Sequence, residues 1–208
     1  MTEQMNKQTT IGSLGRCNLL YWFAVFLLAG LFSCGGADGV TPRPPGYFRI
    51  DLPSKEYVRY EGECPYRFVY PAYSVVEPGH GSRPEPCWID INYKQFKARL
   101  YLSYKPVNRN LDSLLEQSRH MAVQHQVKAN AMRESPVIND SASVYGLIYE
   151  FGGNTASSLQ FYLTDSTRHF MRGALYFYAR PNADSLAPVY EFLKEDIFKM
   201  IETFEWKE

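Results

Sequence analysis

Apolar and polar residues alternate with a period of two in the middle of the chain. In residues 87–93, and again in residues 98–104, every second residue is apolar. Successive side chains of a β-strand point to opposite faces of the sheet, so this alternation predicts two strands that each bury one face. Because only residues 94–97 separate the two segments, we expect them to form an antiparallel hairpin.

Further segments of the chain have the residue pattern of β-strands. They are residues 67–70, 131–138, 144–151, 157–163 and 168–178. Short turn sequences rich in Gly, Asn, Asp, Ser and Thr separate the last three of these segments. We therefore expect those three strands to form an antiparallel meander.

Two segments carry apolar residues at the three-and-four spacing of an amphipathic helix. The first begins at Asn110, a competent N-cap, and runs to His125. The second begins near Asp184, and its apolar stripe comprises Leu186, Val189, Tyr190, Leu193, Ile197, Met200, Ile201 and Phe204. The opposite face of this second helix, including Glu195 and Asp196, is predicted to face solvent.

This order of strands and helices is typical of an α+β domain. We predict an antiparallel sheet covered by two amphipathic helices. The order of the elements, which ends in a long amphipathic helix, is similar to the Mog1/PsbP-like arrangement, whose members serve mainly as accessory or assembly modules. This analogy concerns the fold alone and implies no chemistry.

The N-terminal region contains an uncharged apolar run, residues 19–32, that ends at Ser33 and Cys34. A run of 14 residues is shorter than the roughly 20 that a membrane-spanning helix needs, but it fits the apolar core of a secretory signal. Cys34 lies where a bacterial lipoprotein carries its lipid. The alternatives are an ordinary signal peptide and an uncleaved N-terminal anchor, with Cys34 incidental in both.

These features divide the chain into three parts. Residues 1–33 are predicted to be a lipoprotein signal peptide, and residues 34–45 the lipidated Cys34 followed by a flexible tether rich in Gly and Pro. Residues 46–208 are predicted to form a single α+β domain.

Two cysteines, Cys64 and Cys87, remain in the mature chain besides Cys34. An oxidising envelope compartment favours a disulfide between them. The alternatives are two buried free thiols and, less favoured, a zinc pair, because neither cysteine has a second Cys or His beside it at ligand spacing.

Charge and motifs exclude several classes of function. The 22 basic and 22 acidic residues balance to a net charge of zero, so nothing attracts nucleic acid over long range. His120 and His125 are five residues apart and lie on different faces of the first helix, which argues against a metal pair. No Gly-x-Ser-x-Gly sequence provides a nucleophile. We therefore expect no catalytic residue, no metal and no cofactor.

Aromatic residues are abundant, with 16 Tyr, 13 Phe and 3 Trp. Strands near residues 175–178 present aromatic side chains to both faces, so one face is either covered by a helix or used as a binding surface. Core packing is favoured, because two helices are available. Arg168 and Arg172 share one strand face with Phe170, which fits either an anion or partner contact or an ordinary half-exposed sheet face.

Longer motifs resemble one family along nearly the whole mature chain, about residues 43–207. They include residues 47–53 (YFRIDLP), 102–107 (LSYKPV), 160–167 (QFYLTDST) and 169–177 (HFMRGALYF). These motifs resemble the gliding motility lipoprotein GldD family of Bacteroidetes. The resemblance implies a non-enzymatic accessory or assembly role in gliding motility and the linked type IX secretion machinery. It supplies no catalytic residues, and the alternative is a small envelope hydrolase or ligand-binding carrier.

The resemblance also implies the partners and the location. The partners would be other gliding motility or type IX secretion proteins of the envelope, and the membrane would be contacted through the lipid anchor only. Gly35 is not an acidic retention signal and Asp38 is the only acidic residue nearby. We therefore expect attachment to the outer membrane, with the domain facing the periplasm.

Replacing Cys34 by Ser should abolish acylation. In cells fed labelled fatty acid, the Cys34→Ser protein should carry no label and remain uncleaved or soluble. Cys17 lies within the signal peptide, so Cys17→Ser is the matched control and should be labelled like the unmodified chain. Label incorporated into Cys34→Ser would show that the lipid is attached elsewhere.

Overall fold

A computed structural model describes residues 50–80, 85–126, 129–179 and 182–207, with the backbone alone described at residues 125 and 126. The predicted signal peptide, Cys34 and the tether lie outside these ranges. All described residues belong to one structural unit, Arg49–Glu208.

Ten strands and two α-helices make up the described chain. In chain order they are β1 (Tyr57–Tyr60), β2 (Tyr66–Pro71), β3 (Val75–Pro78), β4 (Ile89–Tyr93), β5 (Ala98–Pro106), α1 (Leu111–Gln126), β6 (Ala131–Asn139), β7 (Val144–Gly152), β8 (Ser157–Thr164), β9 (His169–Phe177), α2 (Ala183–Glu202) and β10 (Glu205–Trp206). Seven strands form one sheet in the order β3-β4-β5-β9-β8-β7-β6, and every neighbouring pair is antiparallel. The remaining three form a small sheet in the order β1-β2-β10.

The strands with clear periodicity lie where the sequence predicts them, within two residues at each end. The hairpin of β4 and β5 is closed by a 3-10 turn at Lys94–Phe96, after which Lys97 adopts a left-handed conformation with φ 48°. The strands β1, β3 and β10 are not predicted. They have two to four residues each and no fully buried position, so they carry no alternation to detect.

The two helices pack on opposite faces of the seven-stranded sheet. We call the face under α2 the inner face; there Leu193 and Ile197 are fully buried in one cluster with Leu100 and Leu175. On the outer face, α1 packs against β7, β8 and β9, where Ala122 is buried among aromatic residues. The predicted α+β class, with an antiparallel sheet and two amphipathic helices, is confirmed.

The small sheet closes the inner core with aromatic side chains. Phe68 and Phe204 stack with their ring centroids 6.1 Å apart, and Tyr66 stacks on Phe204 at 5.9 Å. A disulfide joins Cys64, just before β2, to Cys87, just before β4, with a Cα–Cα distance of 5.4 Å. The cross-link therefore connects the small sheet to the large one.

Asp196 is not on the solvated face of α2, and that prediction is wrong. Its side chain is fully buried and accepts hydrogen bonds from the hydroxyls of Tyr57, at 2.7 Å, and Tyr73. The Lys55 ammonium lies 3.1 Å away. Burial and the bond to Asp196 raise the pKa of both tyrosines, so both hydroxyls donate at neutral pH. Asp196 thus ties residues 55–73 to α2.

Replacing Asp196 by Asn should destabilise the domain, because Lys55 would lose its buried counter-charge. We expect the free energy of unfolding to fall by about 3–5 kcal/mol in urea titrations. The control is Glu195→Gln, because Glu195 binds the same Lys55 at 2.8 Å with 71% of its side chain exposed and should cost less than about 1 kcal/mol. An equal loss in the free energy of unfolding for the two variants would show that the burial of Asp196 does not account for the stabilising effect of its ion pair.

Candidate functional site

The outer face of the large sheet is covered by α1 on only one side. The covered side is formed by β7, β8 and part of β9. The uncovered side lies nearer to β3. There, side chains of β5 and β9 that point away from the inner core line an open cleft of about 440 Å³. This cleft is the candidate site.

The register of β5 and β9 creates the cleft. Tyr101 lies opposite Ala174, and Ser103 lies opposite Arg172. Each pair sets a small side chain against a large one, so the sheet surface is hollow at Ser103 and Ala174 and raised around them. The raised walls are aromatic and comprise Trp88, Tyr101, Tyr176 and Tyr178.

A buried carboxylate, Asp90, lies at one end of the cleft. Only 3% of its side chain is exposed, and Arg99 Nη1 lies 3.3 Å from Oδ2. His80 binds the same oxygen twice, through its backbone N–H at 3.1 Å and through Nδ1 at 2.9 Å. Glu77, 3.3 Å from Arg99 Nη2, completes the network. Asp90 is therefore fully paired.

In the sequence, Asp90 alternates with the apolar residues of segment 87–93, and no motif assigns a role to His80. The alternation of Asp90 with apolar neighbours correctly predicts that Asp90 lies on the face opposite the buried core. The partners of Asp90, however, are Arg99 from β5 and His80 from the loop after β3. No local sequence pattern shows that these segments converge.

Arg172 is the cation of the cleft. Its Nη2 donates to Gln160 Oε1 at 2.6 Å, and within the described ranges no carboxylate lies within ion-pair distance of the guanidinium. The Nε of Arg172 and the Nε2 of Gln160 are buried without a hydrogen-bond partner. Burial lowers the pKa of Arg172, which is the expected cost of holding an uncompensated charge away from water.

Phe170 and Arg172 lie two residues apart on the same face of β9, as the sequence predicts, but the surroundings of Arg168, Phe170 and Arg172 differ. Arg168 is exposed and lies 3.7 Å from Asp165. Phe170 is buried and stacks on Tyr162 with ring centroids 5.8 Å apart. Of the three, Arg172 lines the cleft.

The cleft holds part of a nucleophilic arrangement. His80 and Asp90 are spaced like the base and the orienting acid of a catalytic triad, and Ser103 lines the same cleft. In the described part of the chain, Ser103 makes no side-chain hydrogen bond to His80. Burial and the hydrogen bond with Tyr178 raise the pKa of Tyr101 to about 12, so this phenol stays protonated at neutral pH.

His120 and His169 lie away from the cleft. His120 is exposed on α1 and hydrogen-bonds Gln124 at 3.0 Å. His169 stacks on Trp206 with ring centroids 5.1 Å apart, and burial lowers its pKa. The side chain of His125 is outside the described residues.

No three His, Cys, Asp or Glu side chains among the described residues converge to hold a metal ion. None of the described helices combines the length and the apolar composition needed to cross a membrane.

One solved structure similar to this chain is the solution structure of cyanobacterial PsbP (CyanoP) from Synechocystis sp. PCC 6803. The two chains are 12% identical, the match covers 76% of this chain and 97% of that one, and the TM-score is 0.47. PsbP is one of the folds to which the order of elements was compared above. Nothing about ligands or partners follows from a likeness at this level.

Sequence comparison assigns the family. No curated protein matches the chain. The family described as "Gliding motility lipoprotein GldD" matches residues 37–206, which include all ten strands, both helices and every residue of the cleft. The chain therefore belongs to the GldD family of gliding motility lipoproteins.

Proposed function

We propose that this protein is a non-enzymatic envelope lipoprotein that serves as an accessory or assembly component of the gliding motility and type IX secretion machinery. It is anchored by the acylated Cys34, most simply in the outer membrane with its domain in the periplasm. Membership of the GldD family supports the link to motility. The narrower role rests on the surface described below.

The observation that carries the proposal is the open half of the outer face. Its walls are formed by Trp88, Tyr101, Tyr176 and Tyr178 around Arg172. Trp, Tyr and Arg are the residues enriched at binding hot spots, because they offer large rigid contact areas together with polar atoms. In this proposal the cleft captures a component of the machinery.

The anchor determines what the cleft can reach. Two or more acyl chains on Cys34 would hold the protein stably, since each buried CH₂ contributes about 0.8 kcal/mol. The tether of residues 35–45 spans at most about 40 Å when fully extended. The domain would therefore search a thin layer next to the membrane for its partner.

A second candidate function is a small envelope hydrolase or ligand-binding carrier. The observation in its favour is the His80–Asp90 pair, with 2.9 Å between Nδ1 and Oδ2, in a cleft that Ser103 also lines. Hydrogen bonds between nucleophile and base often tighten only when substrate binds. This candidate predicts that the imidazole of His80 is essential.

A charge placed in the aromatic wall should weaken function without unfolding the protein. Tyr178 is 56% exposed at the cleft, so Tyr178→Glu should accumulate normally while colony spreading and cross-linking to envelope partners fall. Ile138 is 71% exposed on the far edge strand β6, and Ile138→Glu is the matched control that should behave like the unmodified protein. If both variants spread and cross-link to the same extent, the cleft is not the surface that captures the partner.

Replacing His80 by Ala separates binding from catalysis. The imidazole is 58% exposed, and Arg99 still pairs with Asp90 in its absence, so folding should persist. We expect colony spreading and secretion to stay close to the unmodified level, as in the control His120→Ala. A His80→Ala protein that accumulates normally and still cross-links to its partners, yet is inactive in cells, would favour the hydrolase.

A further inference from the structure

One charged residue of the cleft, Arg172, has no partner of opposite charge among the described residues. Asp90 is paired with Arg99 and His80, and Glu77 is paired with Arg99 and Asn92. Arg172 has no carboxylate partner among the described residues, although it lines the cleft. Arg172 is therefore a cation at the cleft without a carboxylate partner, and the carboxylate of a bound ligand would supply one.

Hydrogen-bond donors are also in surplus at this point. The Nε of Arg172 and the Nε2 of Gln160 are buried without acceptors, and the Gln160 side chain, 1% exposed, lies beside Ala174 in the pairing of β8 and β9. Buried donors in native proteins nearly always have an acceptor, so two neighbouring exceptions indicate a place where an acceptor binds. A group that binds here must bring oxygen atoms.

The surroundings restrict the rest of the ligand. A guanidinium presents parallel N–H groups that match the two oxygens of a carboxylate. A single cation compensates a monoanion, whereas a dianionic phosphate would leave net negative charge in a half-buried site. The aromatic walls beside Arg172 require an apolar body next to the anion.

We propose that the cleft binds a carboxylate joined to an aromatic or similarly apolar body. Arg172 holds the carboxylate, and Trp88, Tyr101 and Tyr176 contact the body. This inference rests on the proposed function and names the chemistry of the group that the cleft captures. A volume of about 440 Å³ accommodates a small molecule or one residue of a peptide, so the carboxylate is either a free small acid or a peptide C-terminus.

The first test compares two probes that differ only in the carboxylate. N-acetyl-L-phenylalanine should bind the full-length lipoprotein in detergent, measured by titration calorimetry, at least about tenfold more tightly than N-acetyl-L-phenylalaninamide. A peptide Gly-Ser-Gly-Ser-Phe with a free C-terminus distinguishes the sources. Tighter binding than the single residue supports a peptide C-terminus, and weaker binding supports a free small acid.

Variants show whether the binding takes place in the cleft. Arg172→Lys keeps the charge but loses the paired N–H groups, and Ser103→Leu fills the hollow without removing a buried donor. Both should weaken binding of the acid about tenfold or more. Arg119→Lys changes an exposed arginine on α1 that pairs with Glu116, so it should bind like the unmodified protein. Circular dichroism shows whether each variant is folded. If Arg172→Lys is unfolded, the binding measured with Ser103→Leu decides the test.

Three results would overturn the inference: equal affinity for acid and amide, no binding of the acid at about 1 mM, or unchanged binding in folded Ser103→Leu. Colony spreading separates this failure from failure of the proposed function. If Ser103→Leu cells cannot spread although acid and amide bind equally, the carboxylate chemistry is wrong and the role of the cleft stands. If acid binding is lost but spreading is normal, the site stands and its role in motility is wrong.

Discussion

The pairing of β5 with β9 is the constraint on which both the core and the cleft depend. This register places Leu100 opposite Leu175 on the inner face and Tyr101 opposite Ala174 on the outer face. A shift of one residue would turn the leucines to solvent and the tyrosine into the core. The burial of leucines under α2 therefore also determines which side chains surround the hollow on the other side. In this protein the stability of the core and the shape of the site are decided by the same hydrogen-bonded ladder.

The N-terminal part of the domain is held by contacts distant in sequence. Three contacts hold the strands β1 and β2 in position: aromatic packing against Phe204, the Cys64–Cys87 disulfide and the hydrogen bond from Tyr57 to the buried Asp196. A buried carboxylate contributes little net stability. It does require particular partners, because an unpaired charge in the core is strongly destabilising. Asp196 accordingly specifies where residues 55–73 attach to α2.

The two halves of the outer face of the large sheet differ, because one is packed under a helix and the other is open. The helix α1 covers only half of the outer face, which leaves aromatic residues of β5 and β9 at the surface without weakening the inner core. One half of that face is packed under α1, in line with the expected core packing of aromatic residues, and the other half lines the cleft. The use of the open half as a binding surface stays a prediction. Membership of the GldD family links the chain to gliding motility, and the cleft is where the proposed capture of a partner would occur.

The amino-acid sequence by itself determined the elements that local periodicity specifies. The hairpin of β4 and β5, the meander of β7 to β9 and both helices follow from side-chain alternation and from turn and cap residues, all of which act within a few positions of one another. The tertiary structure alone decided the roles of Asp90, Asp196 and Arg172. Each is a polar residue on a regular element. Local pattern placed Asp90 opposite the apolar face of its strand and Asp196 on a solvated helix face. It left Arg172 open between an anion or partner contact and a half-exposed sheet face. The partner of Asp196, Tyr57, lies 139 positions away, and whether a charge is buried, paired or left open depends on which distant segments pack beside it.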